Sequence, residues 1–139
     1  MQHALIRRVT ERQKPIEVWG TGDDARDLIY IDDFIGGMLL AFEKTEDYIA
    51  VNIASGEGYS VKQVLQTILE VDGYLNADVR FDPSKPTTIP IRLVDTSLAR
   101  RFLDFEAKIP LREGIRRTVE WYKRHLVNKK GSEKYPHES

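Results

Sequence analysis

Residues 16–42 read IEVWGTGDDARDLIYIDDFIGGMLLAF, and this stretch decides the fold class. Ile16-Glu17-Val18-Trp19 alternates apolar and polar as a strand does. Gly20-Thr21-Gly22-Asp23-Asp24 is a turn. Arg26 to Ile31 reads as a second strand, its Leu28, Ile29, Tyr30 and Ile31 apolar on both faces as in a covered sheet. Asp32 or Asp33 can cap the helix that follows, because a carboxylate accepts from free first-turn amides. In that helix Ile35, Met38, Leu39 and Phe42 fall at i, i+3, i+4 and i+7, which makes one stripe expected to be buried. Each glycine of Gly36-Gly37 costs about 1 kcal/mol against alanine inside a helix, so close approach of another backbone is expected there.

Outward from this core the alternation continues. Upstream, Leu5 and Val9 give a helix from Ala4 to Arg12, ended by Lys14-Pro15. That pattern starts almost at Met1, which leads us to expect further chain before it. Downstream, Tyr48 to Ala54 is a third strand, with Ile49, Val51 and Ile53 alternating, and Ser55-Gly56-Glu57-Gly58 turns the chain. Ser60 and Gln63 form a capping box for a helix carrying Val61, Val64, Leu65 and Ile68, which Asp72-Gly73 closes. Ala77 to Phe81 is a short strand, and the proline-rich run from Asp82 to Pro90 is an extended loop. Asp95 can cap a short helix through Leu98 and Phe102; Pro110 opens the last helix, with Leu111, Ile115, Val119, Tyr122 and Leu126 inward. From Asn128 the composition is that of a frayed tail. Alternating strands and helices make the class α/β, with few strands and about four helices.

Composition excludes several chemistries. In 139 residues there is room for one modest core, and 41% hydrophobic with 31% charged residues is a globular balance. Twenty-one basic against 22 acidic residues leaves no bulk field for nucleic acid or an anionic membrane. With no cysteine there are no disulfides, thiol catalysis or cysteine metal sites, and a cytoplasmic location is the expectation. His3, His125 and His137 are scattered, so no metal site is expected. Gly20-Thr21-Gly22 and Gly56-Glu57-Gly58 both lack the third glycine of a dinucleotide fingerprint and read as turns. What remains is a set of cations in special loops. Arg26 follows the glycine turn, Lys85 sits between Ser84 and Pro86, and Arg92 follows Pro90. A diphosphate needs such groups held still, and a guanidinium fork grips two oxygens. Trp19 offers a flat face to a base or sugar. By residue type alone, surface cations and a core tryptophan are the favoured account of them.

Four motifs in order bear on that choice. Val18-Trp19-Gly20-Thr21-Gly22 with Arg26-Asp27-Leu28-Ile29-Tyr30-Ile31-Asp32-Asp33, then Asn52-Ile53-Ala54-Ser55-Gly56-Glu57-Gly58-Tyr59-Ser60, then Phe81-Asp82-Pro83-Ser84-Lys85-Pro86 with Pro90, Arg92 and Asp95, and finally Leu111-Arg112-Glu113-Gly114-Ile115 with Glu120-Trp121-Tyr122, resemble blocks of the extended short-chain dehydrogenases/reductases, the NAD-dependent epimerase/dehydratase family. The third block is similar to that of GDP-L-fucose synthases, although Thr87-Thr88 departs from their Asp-Gly. The resemblance covers roughly Ala4 to His125 and implies the C-terminal, substrate-binding part of an extended Rossmann-type dehydrogenase. Residues 1–127 would be a nucleotide-sugar-binding domain without the N-terminal cofactor half, and 128–139 a flexible tail. It implies that Arg26 and Lys85 hold the diphosphate of a nucleotide sugar, that Trp19 lines the nucleotide pocket, and that Arg8 and Arg92 add polar contacts. It implies no catalytic, cofactor-binding or metal residue in this chain. NAD(P), the catalytic Tyr and Lys and the hydride chemistry would belong to the complete enzyme, and the chain alone would be inert. The partners implied are a nucleotide-diphosphate sugar and either the missing Rossmann half or another copy, with neither nucleic acid nor membrane. Two other readings stand beside it: a stand-alone nucleotide-sugar-binding module, and a self-associating domain with a vestigial pocket.

Overall fold

The computed structural model describes residues 2–46, 48–85 and 89–130. Five helices and five short strands follow one another as α1 (Gln2–Thr10), β1 (Ile16–Trp19), β2 (Ala25–Asp27), α2 (Ile31–Lys44), β3 (Gly58–Ser60), α3 (Val61–Asp72), β4 (Val79–Asp82), β5 (Ile91–Arg92), α4 (Ser97–Leu103) and α5 (Leu111–Lys130). The class is α/β as expected, with five helices among the described residues where about four were expected. β1 pairs in parallel with β4, Trp19 opposite Asp82. β2 lies between antiparallel β3 and parallel β5.

One core is built from helical stripes closing on β1. Leu5, Ile6 and Val9 of α1, Val64, Leu65 and Ile68 of α3, and Ile115 and Val119 of α5 bury against Ile16 and Val18. β1 shows why periodicity suffices here: Ile16 and Val18 face inward while Glu17 and Trp19 face out. The capping box predicted for α3 is present, Ser60 Oγ accepting from the Gln63 amide and the Gln63 side chain accepting from the Ser60 amide. Gly73 ends α3 in the left-handed conformation. At that end the buried Asp72 carboxylate meets Arg12 from the end of α1 and Lys123 of α5, the latter at 2.7 Å. A smaller cluster of Ala99, Leu103 and Phe105 packs against Leu40 and Ala41 of α2 and Val51 and Ile53.

Four expectations are corrected. The stripe of Ile35, Met38, Leu39 and Phe42, expected to be buried, is 47–84% exposed, because α2 packs through its other face, Gly37, Leu40 and Ala41. β2 ends at Asp27 instead of Ile31, because its partners β3 and β5 are only three and two residues long and the ladder runs out. Residues 48–54 form no strand, since no neighbouring strand among the described residues pairs with them. Neither Asp32 nor Asp33 caps α2, which starts after Tyr30 without a side-chain cap. Asp33 accepts from the amides of Lys108 and Ile109 at 2.9 and 2.8 Å, and Asp32 pairs with Arg117 at 3.0 Å, so both fasten α2 to the start of α5. In addition α5 continues to Lys130, beyond the start of the expected tail; residues 131–139 lie outside the described residues.

The paired glycines separate into two cases. A Cβ on Gly37 would stand 2.6 Å from Ile53 Cγ2 and 3.0 Å from Phe105 Cε2, whereas one on Gly36 meets nothing within 4 Å. The close approach is therefore of side chains, and at one glycine. Gly36→Ala is expected to stabilise the protein by about 1 kcal/mol through helix propensity alone. Gly37→Ala is expected to destabilise it by about 2 kcal/mol through overpacking. Paired thermal melts check this: equal shifts of the same sign would contradict it.

Candidate functional site

The residues singled out from the sequence fall into two groups joined by the Gly20–Asp24 turn. At the end of the β1–β4 pair, Trp19 is opposite Asp82 and 59% exposed, so the core reading of this tryptophan is corrected. The Gly20 amide donates to the Asp82 carbonyl at 2.8 Å, and the Lys85 amide donates to the same carbonyl at 3.2 Å. Lys85 thus leaves the strand beside Trp19; residues 86–88 lie outside the described residues. Arg8 belongs to this side too, its guanidinium donating to the Glu17 carbonyl of β1.

The second group is a row across the three-stranded sheet. Arg26 is opposite Arg92 on parallel β5 and opposite Tyr59 on antiparallel β3. Directly opposed residues on neighbouring strands project to the same face, so two guanidiniums and a phenol share one side of a small sheet. Arg26 is half-buried and fixed: its Nη1 donates to the carbonyls of Ala25 at 2.8 Å and Pro90 at 3.3 Å, and its Nη2 lies 3.4 Å from Asp24. The carbonyl of Pro90 also accepts from the Ala25 amide at 2.8 Å, so Arg26 helps to seat β5. Asp27 closes the other end of β2, its carboxylate accepting from the amides of Ser55 and Gly56 at 3.0 and 2.8 Å. Tyr59 was not singled out from the sequence. Nothing local marks it; only the register brings it to Arg26.

Tyr59 donates to the Glu57 carboxylate. That hydrogen bond, with burial adding to it, pushes its pKa up to about 12. A raised folded-state pKa means a contribution to stability fully present below the unfolded value of about 10 and lost as pH rises through about 12. Tyrosinate absorbance of the wild type minus that of Tyr59→Phe should show this phenol still protonated at pH 11, with Glu57→Gln moving its titration downward.

The glycine turns do not make a dinucleotide cradle. Gly20 and Gly22 both have positive φ, but their turn feeds strand β2 rather than a helix N-terminus. The turn at Gly56 leads through β3 to α3, whose first amides are already engaged: Val61 and Lys62 donate to the Asp24 and Gly22 carbonyls, and Gln63 donates to Ser60 Oγ. An apolar cavity of about 350 Å³ lies among α1, α3, α5 and residues 28–31, with His3, Leu28, Tyr30, Leu111 and Trp121 in its lining and none of Arg8, Trp19, Arg26, Lys85 or Arg92. Among the described residues no cluster of His, Asp or Glu is placed to hold a metal ion, and no helix is long and apolar enough to cross a membrane.

Residues 1–54 match the sequence model described as the NAD dependent epimerase/dehydratase family. Over 131 residues the chain is 30% identical to a probable GDP-L-fucose synthase 1 of Oryza sativa subsp. japonica, covering 91% of this chain and 39% of that protein. Its fold aligns with the UDP-glucose 4-epimerase of Thermotoga maritima, solved with UDP-glucose, at a TM-score of 0.80 and 30% identity over 90% of this chain and 40% of that one. It also aligns with the UDP-glucuronic acid 4-epimerase of Bacillus cereus in complex with UDP-glucuronic acid and NAD, at a TM-score of 0.78 and 28% identity over 89% of this chain and 40% of that one. The chain spans about 40% of the length of the relatives it matches.

Proposed function

We propose that this chain, which belongs to the NAD-dependent epimerase/dehydratase family, supplies the nucleotide-sugar-binding part of an enzyme that epimerises, dehydrates or reduces a sugar carried on a nucleoside diphosphate. The observation that carries this reading is the cross-strand register of Arg26 and Arg92, two arginines at opposed positions on a sheet whose strand β2 follows the Trp19 turn. A diphosphate carries adjacent anionic oxygens, and paired forks match that spacing better than scattered lysines. Trp19 lies opposite Asp82 at the end of the β1–β4 pair and Lys85 follows in the turn after Asp82; they would give an aromatic face for the base or sugar and a further cation. Arg8, held to β1, borders the same end. Residues 1–127 make up this binding part.

In this reading the hydride acceptor is the NAD or NADP named in complexes of relatives, held by a part of the enzyme outside this chain. The glycine turns do not fit it, and no step is assigned to it in this chain. What the chain contributes is orientation: a tightly held diphosphate fixes the sugar ring relative to whatever group reacts with it. A self-associating domain with a vestigial pocket is the rival reading. Calorimetric titration with UDP-glucose, GDP-fucose and dTDP-glucose decides between them. Micromolar binding of at least one, displaced by inorganic pyrophosphate, is the expected result; no binding of any would leave the rival reading.

A further inference from the structure

The Gly20–Asp24 turn separates Trp19 from Arg26, and Gly20 and Gly22 within it have positive φ. Glycine loses more conformational freedom than other residues when a turn is fixed, so such a turn needs contacts from outside to hold one shape. Helix α3 supplies them. The amides of Val61 and Lys62, first-turn groups with no acceptor within their own helix, donate to the carbonyls of Asp24 at 3.1 Å and Gly22 at 2.9 Å. The Lys62 side chain reaches the same turn, its ammonium 2.8 Å from the Asp23 carboxylate. That hydrogen bond, with one from Thr21, holds the Asp23 carboxyl below the usual carboxylate range. The ammonium also lies over the ring of Phe81, 5.6 Å from its centroid. Phe81 precedes Asp82, the residue opposite Trp19. Beneath these contacts Val61, Val64, Leu65 and Ile68 bury in the main core, so α3 is a firm reference for the turn.

The Lys62 and Asp23 side chains are 50% and 68% exposed, and an ion pair that open to water adds little to folding stability. Its effect falls on the turn. We propose that Lys62 is a positioning residue for the nucleotide-sugar site: through Asp23 it holds the Gly20–Asp24 turn in one shape and so sets Trp19 at a fixed reach from Arg26. Lys62 itself touches no ligand. A nucleotide sugar extends from a base or sugar ring to a diphosphate, so its affinity depends on that reach. Inorganic pyrophosphate engages the cation end alone and is indifferent to it. A turn already fixed before binding removes an ordering cost from the longer ligand only. The signature of Lys62 is therefore a difference between two ligands rather than a general loss of affinity or of stability.

The inference rests on the proposed function, and the test separates the two. The full 139-residue chain is titrated with UDP-glucose, GDP-fucose, dTDP-glucose and inorganic pyrophosphate. Lys62→Met keeps the stem over Phe81 and removes the ammonium; Asp23→Asn removes the charge it meets. Each is expected to weaken nucleotide-sugar binding about fivefold, the upper end of what an exposed ion pair contributes, and to leave pyrophosphate affinity within about twofold of wild type. The double variant should fall no further than either single one, because both remove the same interaction. Lys62→Arg should bind as the wild type does. In Lys62→Met amide exchange across residues 20–25 should quicken while the melting temperature stays within about 2 °C of wild type. Equal weakening for nucleotide sugar and pyrophosphate overturns positioning in favour of a direct phosphate contact. Unchanged affinity for a sugar nucleotide that the wild type binds, or unchanged exchange in the turn, shows that the turn holds without the pair, and only the role of Lys62 falls. A wild-type chain that binds none of the three nucleotide sugars overturns the proposed function, and the role of Lys62 in binding with it.

Discussion

Replacing Gly22 with alanine is expected to lower the unfolding free energy by about 3 kcal/mol, the sum of a left-handed backbone penalty of ~1 kcal/mol and overpacking of ~2 kcal/mol. Gly22 has a φ of +81°, and a Cβ there would stand 2.4 Å from Phe81 Cε1 and 2.8 Å from Lys62 Cγ. Neither neighbour can simply swing away. The Lys62 amide donates to the Gly22 carbonyl at 2.9 Å, its ammonium lies over the Phe81 ring and pairs with Asp23 at 2.8 Å, and Phe81 packs on the main core. For a chain of this size the melting temperature should fall by about 10 °C. Gly73→Ala is the built-in comparison. It has the same φ of +81° with nothing within 4 Å of the added carbon, so only the backbone penalty applies. Equal melting temperatures for the two variants would show that the turn yields and the clash is not there.

The second large effect is on binding. Arg26→Ala is expected to weaken nucleotide-sugar affinity about 30-fold, a loss of ~2 kcal/mol for charge-assisted phosphate contacts. Arg26→Lys keeps the charge and loses the fork, and about tenfold is expected. Because Arg26 also donates to Pro90, the alanine variant should lose some stability as β5 loosens. Affinity is therefore measured well below the melting transition. If both variants bind as the wild type does while melting earlier, Arg26 is a strut for β5 and the diphosphate lies elsewhere. Competition by inorganic pyrophosphate distinguishes a phosphate site from a base site in the same titration.

Much of this molecule is legible from local pattern. The alternation of Ile16 to Trp19, the Ser60–Gln63 box, the Asp72-Gly73 stop and the inward stripes of α3 and α5 are all settled by neighbours within one helical turn or two strand positions. The ordered motifs from Val18 to Tyr122 likewise carried the family assignment. The candidate cations were legible as residue types in stiff loops, and their grouping was not. Arg26 reaches Arg92 and Tyr59, and Trp19 reaches Asp82, only through strand register between distant parts of the chain.

The same distinction explains the corrections. Residues 28–31 and 48–54 have strand-like composition, but a strand exists only where another edge offers hydrogen bonds, and among the described residues the ladder stops at Asp27 and none reaches 48–54. Asp32 and Asp33 sit where caps belong, yet the amides of Lys108 and Ile109 and the guanidinium of Arg117 come closer to them than the first turn of α2 does. Sequence by itself determined the order of the helices, the main core and the family, because periodicity and capping act over a few residues. Tertiary structure alone decided which cations stand together and which apolar face is left uncovered, because those depend on pairings that no local pattern encodes.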